Sequence, residues 1–523
     1  PEAATAVEAT AAAELADGLR KVTGASFAVV SEAQAAATPR LYVGATRVSK
    51  TVRPDRGWKP DEVLVQGVAD GIVFDGHPTR GPIYAVDSYL ERELGVRWWT
   101  SKAALYPPNP SPSASVQTYA YASPFKFRET YWLDAFDPDF KVRSKINFTS
   151  VCRYEFERNR RIPKEKGGDY TLYFFRGRGS AYHSSFEVLP PAKYFKDHPE
   201  WYSLVGGKRQ PKQLCASNPE MLREYIRVTK ELLREAQDVN FIQCSQNDWS
   251  GACGCAACKA IEAEEGGSHC GPTLRMANAV AEAIEPEFPN VWVDTFAYQY
   301  TRRAPAKTRP RHNVLVRLCS VECGYNRPIP DPKFPQNAAF MRDLDAWRTA
   351  GAGRLFVWDY AVNFQSYMLP HPTIPTFAEN VRAFAAAGAV GLFEQGDATC
   401  SAGEFAPLRF YLLSKLAWDP SLDDYALIDE FLTGYYGRKA APHLKNYILH
   451  MHAAVREAPH MSCFHANISK WVKPEALFKG AALMDAACKA AAEEGAAFAE
   501  RVRRERMSVD HAFIVEWDLW RKW

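Results

Sequence analysis

The sequence predicts an α/β protein in which a small α/β domain precedes a (β/α)8 TIM-like barrel and a helical domain follows it. Three observations indicate this architecture. The chain has 523 residues, which is more than one hydrophobic core usually supports. Between residues 241 and 396 short apolar runs alternate with helical stretches, as in a buried parallel sheet. From residue 406 onward the sequence is rich in alanine and has no strand pattern.

The N-terminal α/β domain is predicted over residues 1–115. Its predicted elements are a helix at 3–23, strands at 27–31 and 40–44, an apolar run in "DGIVFDG", and a helix in "PIYAVDSYLERELGVRWWT" that ends at Gly95. The segment "YPPNPSPSAS" at 106–115 contains four Pro and three Ser, so it indicates a linker to the next domain.

The barrel is predicted over residues 116–405, a length of roughly 290 residues that suits a (β/α)8 barrel, although doubly wound sheets share the same pattern. Its clearest strands are predicted at 241–248, 291–298, 313–320, 354–360 and 389–396, with helices at 272–286, 336–350 and 376–387. Earlier strands are predicted near "KFRETYWLDA" and "SKINFTS". Residues 406–523 are predicted to form the helical C-terminal domain.

The composition narrows the range of partners. Because 64 Lys and Arg stand against 61 Asp and Glu, with no long basic run, nucleic acid is not an expected partner. Aromatic residues make up 13% of the chain, which suits either a cleft that stacks against sugar rings or a large core. No apolar stretch reaches the ~20 residues that span a bilayer. The chain begins at Pro1 without Met, so we expect a processed protein that is secreted, periplasmic or on the cell surface.

Candidate functional residues follow the predicted strands, because the carboxyl ends of parallel barrel strands meet at one rim. These residues are His183, Asn247, Asp248, Tyr298, Tyr300, Glu322, Asp359, Tyr360, Glu394 and Gln395, with Trp249 and Trp358 beside them. Carboxyl groups and aromatic rings around one rim are typical of a glycosidase, in which one group protonates the leaving oxygen and another stabilises positive charge.

Each candidate also has a structural interpretation. Glu394 follows the apolar run "AVGLF", and a buried carboxylate is costly unless it is paired or functional. Asp248 lies in an Asn-Asp pair that is also ordinary turn chemistry. Asp359 could orient another side chain, and Glu322 could cap a helix or bind an arginine. On these grounds a functional role is favoured for Glu394, and the role of Asp248 stays open.

A cluster of cysteines follows Asp248. Cys253, Cys255 and Cys258 lie on a short loop, with His269 and Cys270 about eleven residues later, which is enough for one tetrahedral metal ion. We therefore predict a structural zinc site formed by the three loop cysteines and Cys270. Disulfides or free thiols are the alternatives. A catalytic zinc is not expected, since such sites favour His and carboxylate ligands, and no catalytic cofactor is predicted.

Several motifs resemble known glycoside hydrolase families. "RGPIYAVDSYLERELGVRWW" resembles the small domain that precedes the barrel in family 67 α-glucuronidases and family 20 hexosaminidases. "LPPAKYFKDHPEWYSLVGGKRQ", "QLCASNPEM", "QNDWSGACGCAACK", "AYQYTRRAP", "CSVEC", "VWDYAVNF" and "GLFEQG" resemble, in this order, bacterial proteins of glycoside hydrolase family 163.

This resemblance implies an endo-β-N-acetylglucosaminidase that cuts the chitobiose core of complex N-glycans with retention, through the substrate's own 2-acetamido group. Related hexosaminidases have an Asp-Glu pair after the fourth strand, where this chain has Asn247 and Asp248. With this resemblance we expect Asp248 and Glu394 to be the catalytic pair. Either Asn247 orients the acetamide while Asp248 donates the proton, or Asp248 holds the acetamide while Glu394 is the acid.

Three other functions remain open at this stage. An exo-acting hexosaminidase or α-glucuronidase is one, and a uronate would favour arginines such as Arg302, Arg303 or Arg317. A barrel that binds carbohydrate without cleaving it is the second. A zinc hydrolase is the third.

Overall fold

The structure is a computed structural model that describes residues 1–35, 39–113, 115–151, 160–173, 182–235, 239–351, 353–400 and 402–523. The elements of its N-terminal part are α1 (Ala6–Thr23), β1 (Arg40–Val43), α2 (Arg47–Lys50), β2 (Val63–Val68), β3 (Gly71–Gly76), α3 (Gly81–Arg92), β4 (Arg97–Thr100), β5 (Ala103–Leu105) and β6 (Tyr119–Tyr121). The strand order of the first sheet is β1–β3–β2–β6. A Cβ at Gly18 of α1 would lie 2.8 Å from the Leu90 side chain of α3, so glycine permits these helices to pack closely.

Two details of this part differ from the sequence-based prediction. The predicted strand at 27–31 is wrong, since these residues form no strand and the side chains of Phe27, Val29 and Val30 are exposed to solvent. An apolar run without a neighbouring strand gains no ladder hydrogen bonds. The sheet also includes β6, which lies beyond the predicted boundary at residue 115.

The central part is an almost closed eight-stranded parallel barrel, which confirms the predicted fold class. Its elements are β7 (Phe127–Tyr131), α4 (Pro138–Arg143), β8 (Phe148–Val151), β9 (Tyr170–Tyr173), α5 (Ser185–Val188), α6 (Pro191–Tyr194), β10 (Tyr202–Val205), β11 (Lys208–Leu214), α7 (Pro219–Glu235), β12 (Phe241–Gln243), α8 (Ala256–Glu264), α9 (Cys270–Ile284), β13 (Trp292–Ala297), β14 (Val314–Cys319), α10 (Pro335–Ala350), β15 (Leu355–Tyr360), α11 (Phe377–Ala386) and β16 (Gly391–Gln395).

The barrel strands follow the order β7–β16–β15–β14–β13–β12–β9–β8, with parallel pairing between neighbours. At the seam between β7 and β8, the Asn147 N–H donates to the Arg128 carbonyl at 3.1 Å and the Arg128 N–H donates to Asn147 Oδ1 at 2.8 Å. The antiparallel hairpin β10–β11 is inserted between the third and fourth barrel strands. The fourth strand is β12, and Asp248 follows it.

Amphipathic helices surround the barrel and continue into the C-terminal part. In α7 the side chains of Met221, Tyr225, Val228 and Leu232 are buried at helical spacing, so one face packs against the sheet. The C-terminal elements are α12 (Ala406–Trp418), α13 (Asp424–Phe431), α14 (Ala441–Arg456), α15 (Pro474–Ala492), α16 (Ala496–Val515) and α17 (Trp517–Trp520). Within the described residues, none of the helices has the length and apolar character that crossing a bilayer requires.

Aromatic side chains fill the lower half of the barrel. Phe127 lies within 5.1 Å of Phe241 and 6.0 Å of Phe148, measured between ring centroids, in edge-to-face arrangements. Alternate residues of each strand point inward, so bulky rings from several strands meet on the axis. This packing closes the lower barrel and leaves its carboxyl end for a cavity.

Candidate active site

A cavity of about 800 Å³ lies at the carboxyl end of the barrel strands. This volume is in the upper part of the range for ligand pockets. Its rim includes short helix α5 and Phe464 of the C-terminal part, so both the barrel and the C-terminal part contribute. The lining residues are Tyr182, His183, Phe186, Glu187, Pro190, Asp248, Phe296, Tyr298, Cys319, Val321, Trp358, Tyr360, Gln395 and Phe464.

Asp248 lies on this cavity in the loop after β12, and its side chain is exposed. The Tyr298 hydroxyl donates to Asp248 Oδ1 at 3.0 Å, and Gln299 Nε2 donates to the same hydroxyl oxygen at 2.8 Å. Burial and the nearby Asp248 raise the pKa of Tyr298 above 10.0, so this phenol stays a proton donor. Gln246 Nε2 donates to Thr301 Oγ1 at 2.7 Å, which joins the loop of Asp248 to the turn after β13.

His183 lies beside this pair in a neutral form. Its Nδ1 is 2.9 Å from the Gln246 carbonyl oxygen, which can only accept, so Nδ1 carries the proton and Nε2 is left as an acceptor. Burial lowers the pKa of His183 below 6.5, although the Gln246 carbonyl and Asp248 oppose this. The backbone of His183 has φ of +70°, in the left-handed region that non-glycine residues rarely adopt. Such strain clusters at functional sites.

Aromatic side chains form the walls of the cavity. The Tyr182 and Trp358 rings lie 4.3 Å apart between centroids, and Trp358 stacks on Tyr360 at 5.9 Å with an interplanar angle of 25°. The Trp358 indole Nε1 donates to Gln395 Oε1 at 2.9 Å. Because this bond uses the amide oxygen, Gln395 keeps its amide N–H groups as donors. Flat faces beside a few polar groups suit a sugar ring.

The floor below the cavity is a buried polar layer. Arg317 Nε donates to Asp294 Oδ2 at 2.8 Å, and both side chains are fully buried. On the other side, Glu129 accepts from the Ser150 N–H and hydroxyl at 2.9 Å each, and the Ser150 hydroxyl is 2.6 Å from the hydroxyl of Tyr182. Burial raises the pKa of Glu129 above 4.5. This layer holds Tyr182 from below.

Glu394 does not lie on the cavity, which corrects its predicted pairing with Asp248. Successive residues of a strand point to opposite faces, and on β16 it is Gln395 that faces the cavity. Glu394 pairs across the sheet with Asp359, which also faces outward and accepts from Asn380 Nδ2 of α11 at 3.4 Å. Both predicted site residues, Glu394 and Asp359, therefore lie between the barrel and its outer helices.

The two outward carboxyl groups affect each other's ionisation. Burial, and then the charge of Asp359, raise the pKa of Glu394 well above 4.5. Burial raises the pKa of Asp359 to about 6, against hydrogen bonds from Ser320 and Asn380. Among the described residues, neither side-chain oxygen of Glu394 has a hydrogen-bond partner. Burial thus favours the protonated form of Glu394, which lies behind the site.

Asn247 and Trp249 lie on either side of Asp248 but do not line the cavity. The Asn247 side chain donates to the Lys212 carbonyl at 3.1 Å, and the ring centroid of Trp249 is 5.0 Å from Lys212 Nζ. Both predicted binding residues therefore contact strand β11. Their contacts hold the loop of Asp248 against the inserted hairpin.

Tyr300 and Glu322 are also placed away from the cavity. The Tyr300 ring lies 6.1 Å from the ring of His269, next to the start of α9. Glu322 Oε2 accepts from Arg302 Nη1 at 2.9 Å, and Arg302 Nε also donates to Asp343 at 2.7 Å. If the strand continued, Tyr298 and Tyr300 would point to the same face, because they are two residues apart. The strand ends at Ala297, however, and a 3-10 turn follows.

The cysteine cluster has a different fourth member from the one predicted. The sulfur atoms of Cys215, Cys253, Cys255 and Cys258 lie within 4.8 Å of one another. Cys270 is not in this group, because it is the first residue of helix α9 and is fully buried in the barrel's outer layer. His269 is likewise engaged elsewhere, with Nδ1 2.8 Å from Glu262.

Eight of the lining residues were missed by the sequence-based prediction, and three of them show why. Phe296 is two residues before Tyr298 on β13, so strand alternation could have placed both on the inner face. Tyr182 precedes His183, and Glu187 lies on the short helix α5. Neither of these two follows a strand with a clear apolar pattern, so no local signal points to them.

The comparison with sequence families gives one match. Residues 98–449 match the model of a family described as a domain of unknown function, DUF4838. No curated protein matches the chain.

Solved structures of similar architecture are glycoside hydrolases. The family 115 4-O-methyl-α-glucuronidase BtGH115A, described as specific for decorated arabinogalactans, is 12% identical with a TM-score of 0.59, covering 98% of this chain and 70% of that one. A family 89 glycoside hydrolase from Clostridium perfringens in complex with 2-acetamido-1,2-dideoxynojirmycin is 12% identical with a TM-score of 0.56, covering 97% and 61%. The family 89 glycoside hydrolase from Clostridium perfringens in complex with PUGNAc is 11% identical to this chain, with a TM-score of 0.54. The match covers 97% of this chain and 62% of that one. At these identities the likeness shows a shared fold.

Proposed function

We propose a glycoside hydrolase function for this chain, which belongs to the DUF4838 family. The substrate that the site suits best is a glycan with an N-acetylglucosamine linkage. The single observation that carries the proposal is the pairing of Asp248 with Tyr298 on an aromatic-walled cavity at the carboxyl end of a parallel barrel. Barrel enzymes have their chemistry at this end.

The chemistry of the cavity suits a sugar. Aromatic faces from Phe296, Trp358 and Tyr360 offer stacking surfaces, and the amide of Gln395 offers directed hydrogen bonds. Neutral His183 adds an acceptor for a hydroxyl group. Glycosidases with this fold, reported above, support the same interpretation by analogy.

The cavity lining carries two carboxyl groups, Asp248 and Glu187, and the reaction we propose uses Asp248 together with the substrate's own acetamide. Of the pair expected from the sequence, only Asp248 is on the cavity, and Glu394 faces away. In a substrate-assisted reaction the acetamide oxygen of the sugar attacks the anomeric carbon, so the protein need not supply a nucleophile. Asp248 then acts as the acid that protonates the leaving oxygen, with Tyr298 fixing its position.

The finer identity follows from the resemblance to family 163. It supports an endo-β-N-acetylglucosaminidase that cuts the chitobiose core of complex N-glycans with retention. A cavity of about 800 Å³ that is open at the barrel mouth is compatible with an internal segment of a glycan. Such a substrate is found outside the bacterial cytoplasm, so the proposal includes an exported location.

The three arginines that the sequence suggested for binding a uronate do not lie on the cavity, which argues against a uronidase. Arg317 is bound to Asp294 inside the barrel, and Arg302 is bound to Glu322 and Asp343. The remaining candidate, Arg303, is exposed on the surface. None of the three lines the cavity.

A second candidate function is carbohydrate binding without cleavage. The observation that favours it is the outward direction of Glu394, which leaves Asp248 without its expected partner.

Glu187 is the other carboxylate on the described lining. It would be the second catalytic carboxylate if the substrate lacks a 2-acetamido group.

The experiment is incubation with a complex-type N-glycoprotein and with aryl glycosides that carry either a 2-acetamido or a 2-hydroxyl group, followed by mass analysis. Cleavage that leaves one N-acetylglucosamine on the asparagine supports the proposal. Release of a terminal monosaccharide indicates an exo-acting enzyme instead. Equal turnover of the 2-hydroxyl glycosides, lost in Glu187→Gln, would overturn the substrate-assisted reaction. Glycan binding in calorimetry with no product would support the binding function.

A further inference from the structure

The sulfur atoms of four cysteines form a compact group beside the active site. Cys215 Sγ lies 3.5 Å from Cys253 Sγ, 3.6 Å from Cys255 Sγ and 3.9 Å from Cys258 Sγ. Four sulfurs bound to one Zn²⁺ at about 2.3 Å in a tetrahedron are about 3.8 Å apart. A disulfide would bring a pair to about 2.05 Å. The spacing therefore matches a metal site.

We propose that Cys215, Cys253, Cys255 and Cys258 bind one structural Zn²⁺ that fixes the β10–β11 hairpin to the loop of Asp248. The ligand set is closed, because four thiolates fill a tetrahedron and leave no open position for water or substrate. Soft sulfur ligands in this geometry select zinc, or iron in a tetrahedral sulfur site. This role is separate from the proposed glycosidase chemistry.

The surroundings of the cluster suit bound thiolates. The Leu204 N–H donates to Cys253 Sγ at 3.3 Å, and the Cys258 N–H donates to Cys255 Sγ at 3.5 Å. Arg209 Nη1 lies 3.9 Å from Cys253 Sγ, where its positive charge offsets part of the net negative charge of a Zn²⁺ with four thiolates. Such outer contacts orient metal ligands.

The cluster joins two segments that are far apart in sequence. Cys215 directly follows β11 in the inserted hairpin, whereas Cys253, Cys255 and Cys258 follow Asp248. Closing a loop of this length in the unfolded chain costs conformational entropy, which a metal clip offsets. The Gly254 N–H also donates to the hairpin at the Leu204 carbonyl, 2.8 Å away.

The same hairpin holds the backbone around Asp248 through one glutamine. Gln213 Nε2 donates to the carbonyl oxygens of Asn247 and Trp249 at 2.8 and 2.6 Å, and Gln213 Oε1 accepts from the Asn247 N–H at 2.8 Å. These three bonds are made by the residues on either side of Asp248. The metal would therefore act as a positioning site, because it anchors the strand that fixes the loop of Asp248.

The first test is metal analysis of the purified chain, prepared without added chelator. We expect about one Zn²⁺ per chain, and titration with a mercurial reagent should release it as four thiols react. Replacement by Co²⁺ should give the absorption bands of a tetrahedral thiolate site. A chain without metal whose four cysteines are free thiols, or are joined as disulfides in mass analysis, would overturn the proposal. These measurements need no enzyme activity, so they stand even if the glycosidase proposal fails.

The second test uses matched variants. Cys215→Ser should lose the metal, whereas Cys270→Ser and Cys488→Ser should keep it, because these two cysteines lie outside the cluster. If Cys215→Ser keeps the metal and Cys270→Ser loses it, the fourth ligand is Cys270 and the proposed ligand set is wrong. If Cys215→Ser does not fold, the thiol count of the unaltered chain still decides the outcome.

Discussion

Two substitutions of a carboxyl group by its amide test which residue takes part in the reaction: Asp248, which lies on the cavity, or Glu394, which lies behind it. Asp248→Asn removes an ionisable group that touches the cavity, so kcat/KM should fall by about 10² to 10⁴, the range for general acid–base catalysis. Glu394→Gln should leave kcat/KM within about threefold, a difference below ~0.7 kcal/mol. The reason is that burial favours the protonated form of Glu394, and the amide conserves the charge and volume of that form.

The assay is the initial rate of glycan cleavage by both variants at several substrate concentrations, with thermal melting as the control for folding. Both variants should melt within a few degrees of the unaltered chain, since neither exchange opens a cavity. A loss of about 10²-fold or more in kcat/KM for Glu394→Gln with unchanged melting, while Asp248→Asn stays active, would contradict the placement of Glu394 behind the site.

Two further changes test the surroundings of the site, and a third tests a buried carboxyl group of the C-terminal part. Tyr298→Phe removes the donor to Asp248, so kcat/KM should fall by roughly 10-fold to 100-fold. This range corresponds to a hydrogen bond to a charged group, which is worth about 1.5–3 kcal/mol. Unchanged rates would contradict the pairing of Tyr298 with Asp248. Arg317→Met leaves Asp294 without its cation, so the free energy of unfolding measured with denaturant should fall by about 3–5 kcal/mol. A decrease below ~1 kcal/mol would contradict an uncompensated buried charge at Asp294. Glu505 is buried in α16, where it accepts from the Tyr436 hydroxyl at 2.6 Å. Burial raises the pKa of Glu505 from 4.5 to about 7, so its protonated form stabilises the fold fully below pH 4.5 and this contribution of about 3 kcal/mol is lost as pH rises through 7. Glu505→Gln should therefore flatten the pH dependence of the unfolding free energy over that window, and an unchanged slope would contradict the assignment.

The sequence predicted the rim of the barrel but not which side of each strand end faces inward. Asp359 and Tyr360, like Glu394 and Gln395, are neighbours at the ends of buried strands. When both faces of a parallel strand are covered, the apolar run is continuous and carries no period that marks the inner face. The preference for Glu394 over Gln395 followed from chemistry alone, and the pairing of Glu394 with Asp359 in the sheet decided against it.

The fourth cysteine shows the same limit at longer range. Cys270 is near the loop cysteines in sequence, and Cys215 is 38 positions away from Cys253, yet Cys215 is the one whose sulfur is 3.5 Å from Cys253 Sγ. The inserted hairpin folds back over the loop after β12 and brings Cys215 there. Nearness along the chain is therefore a poor guide to a ligand that an insertion supplies.

By itself the sequence determined the alternation of strands and helices, the helical C-terminal part and the position of Asp248 and Tyr298 after strands, and it favoured the (β/α)8 class over a doubly wound sheet. These features follow from local patterns of apolar residues, which act over a few neighbouring positions. Only the tertiary structure decided that Glu394 faces the outer helices, that Glu187 and Tyr182 reach the cavity, and that Cys215 completes the cluster. Each of these depends on contacts between segments distant in sequence, because strand pairing and the path of the hairpin set which side chains meet.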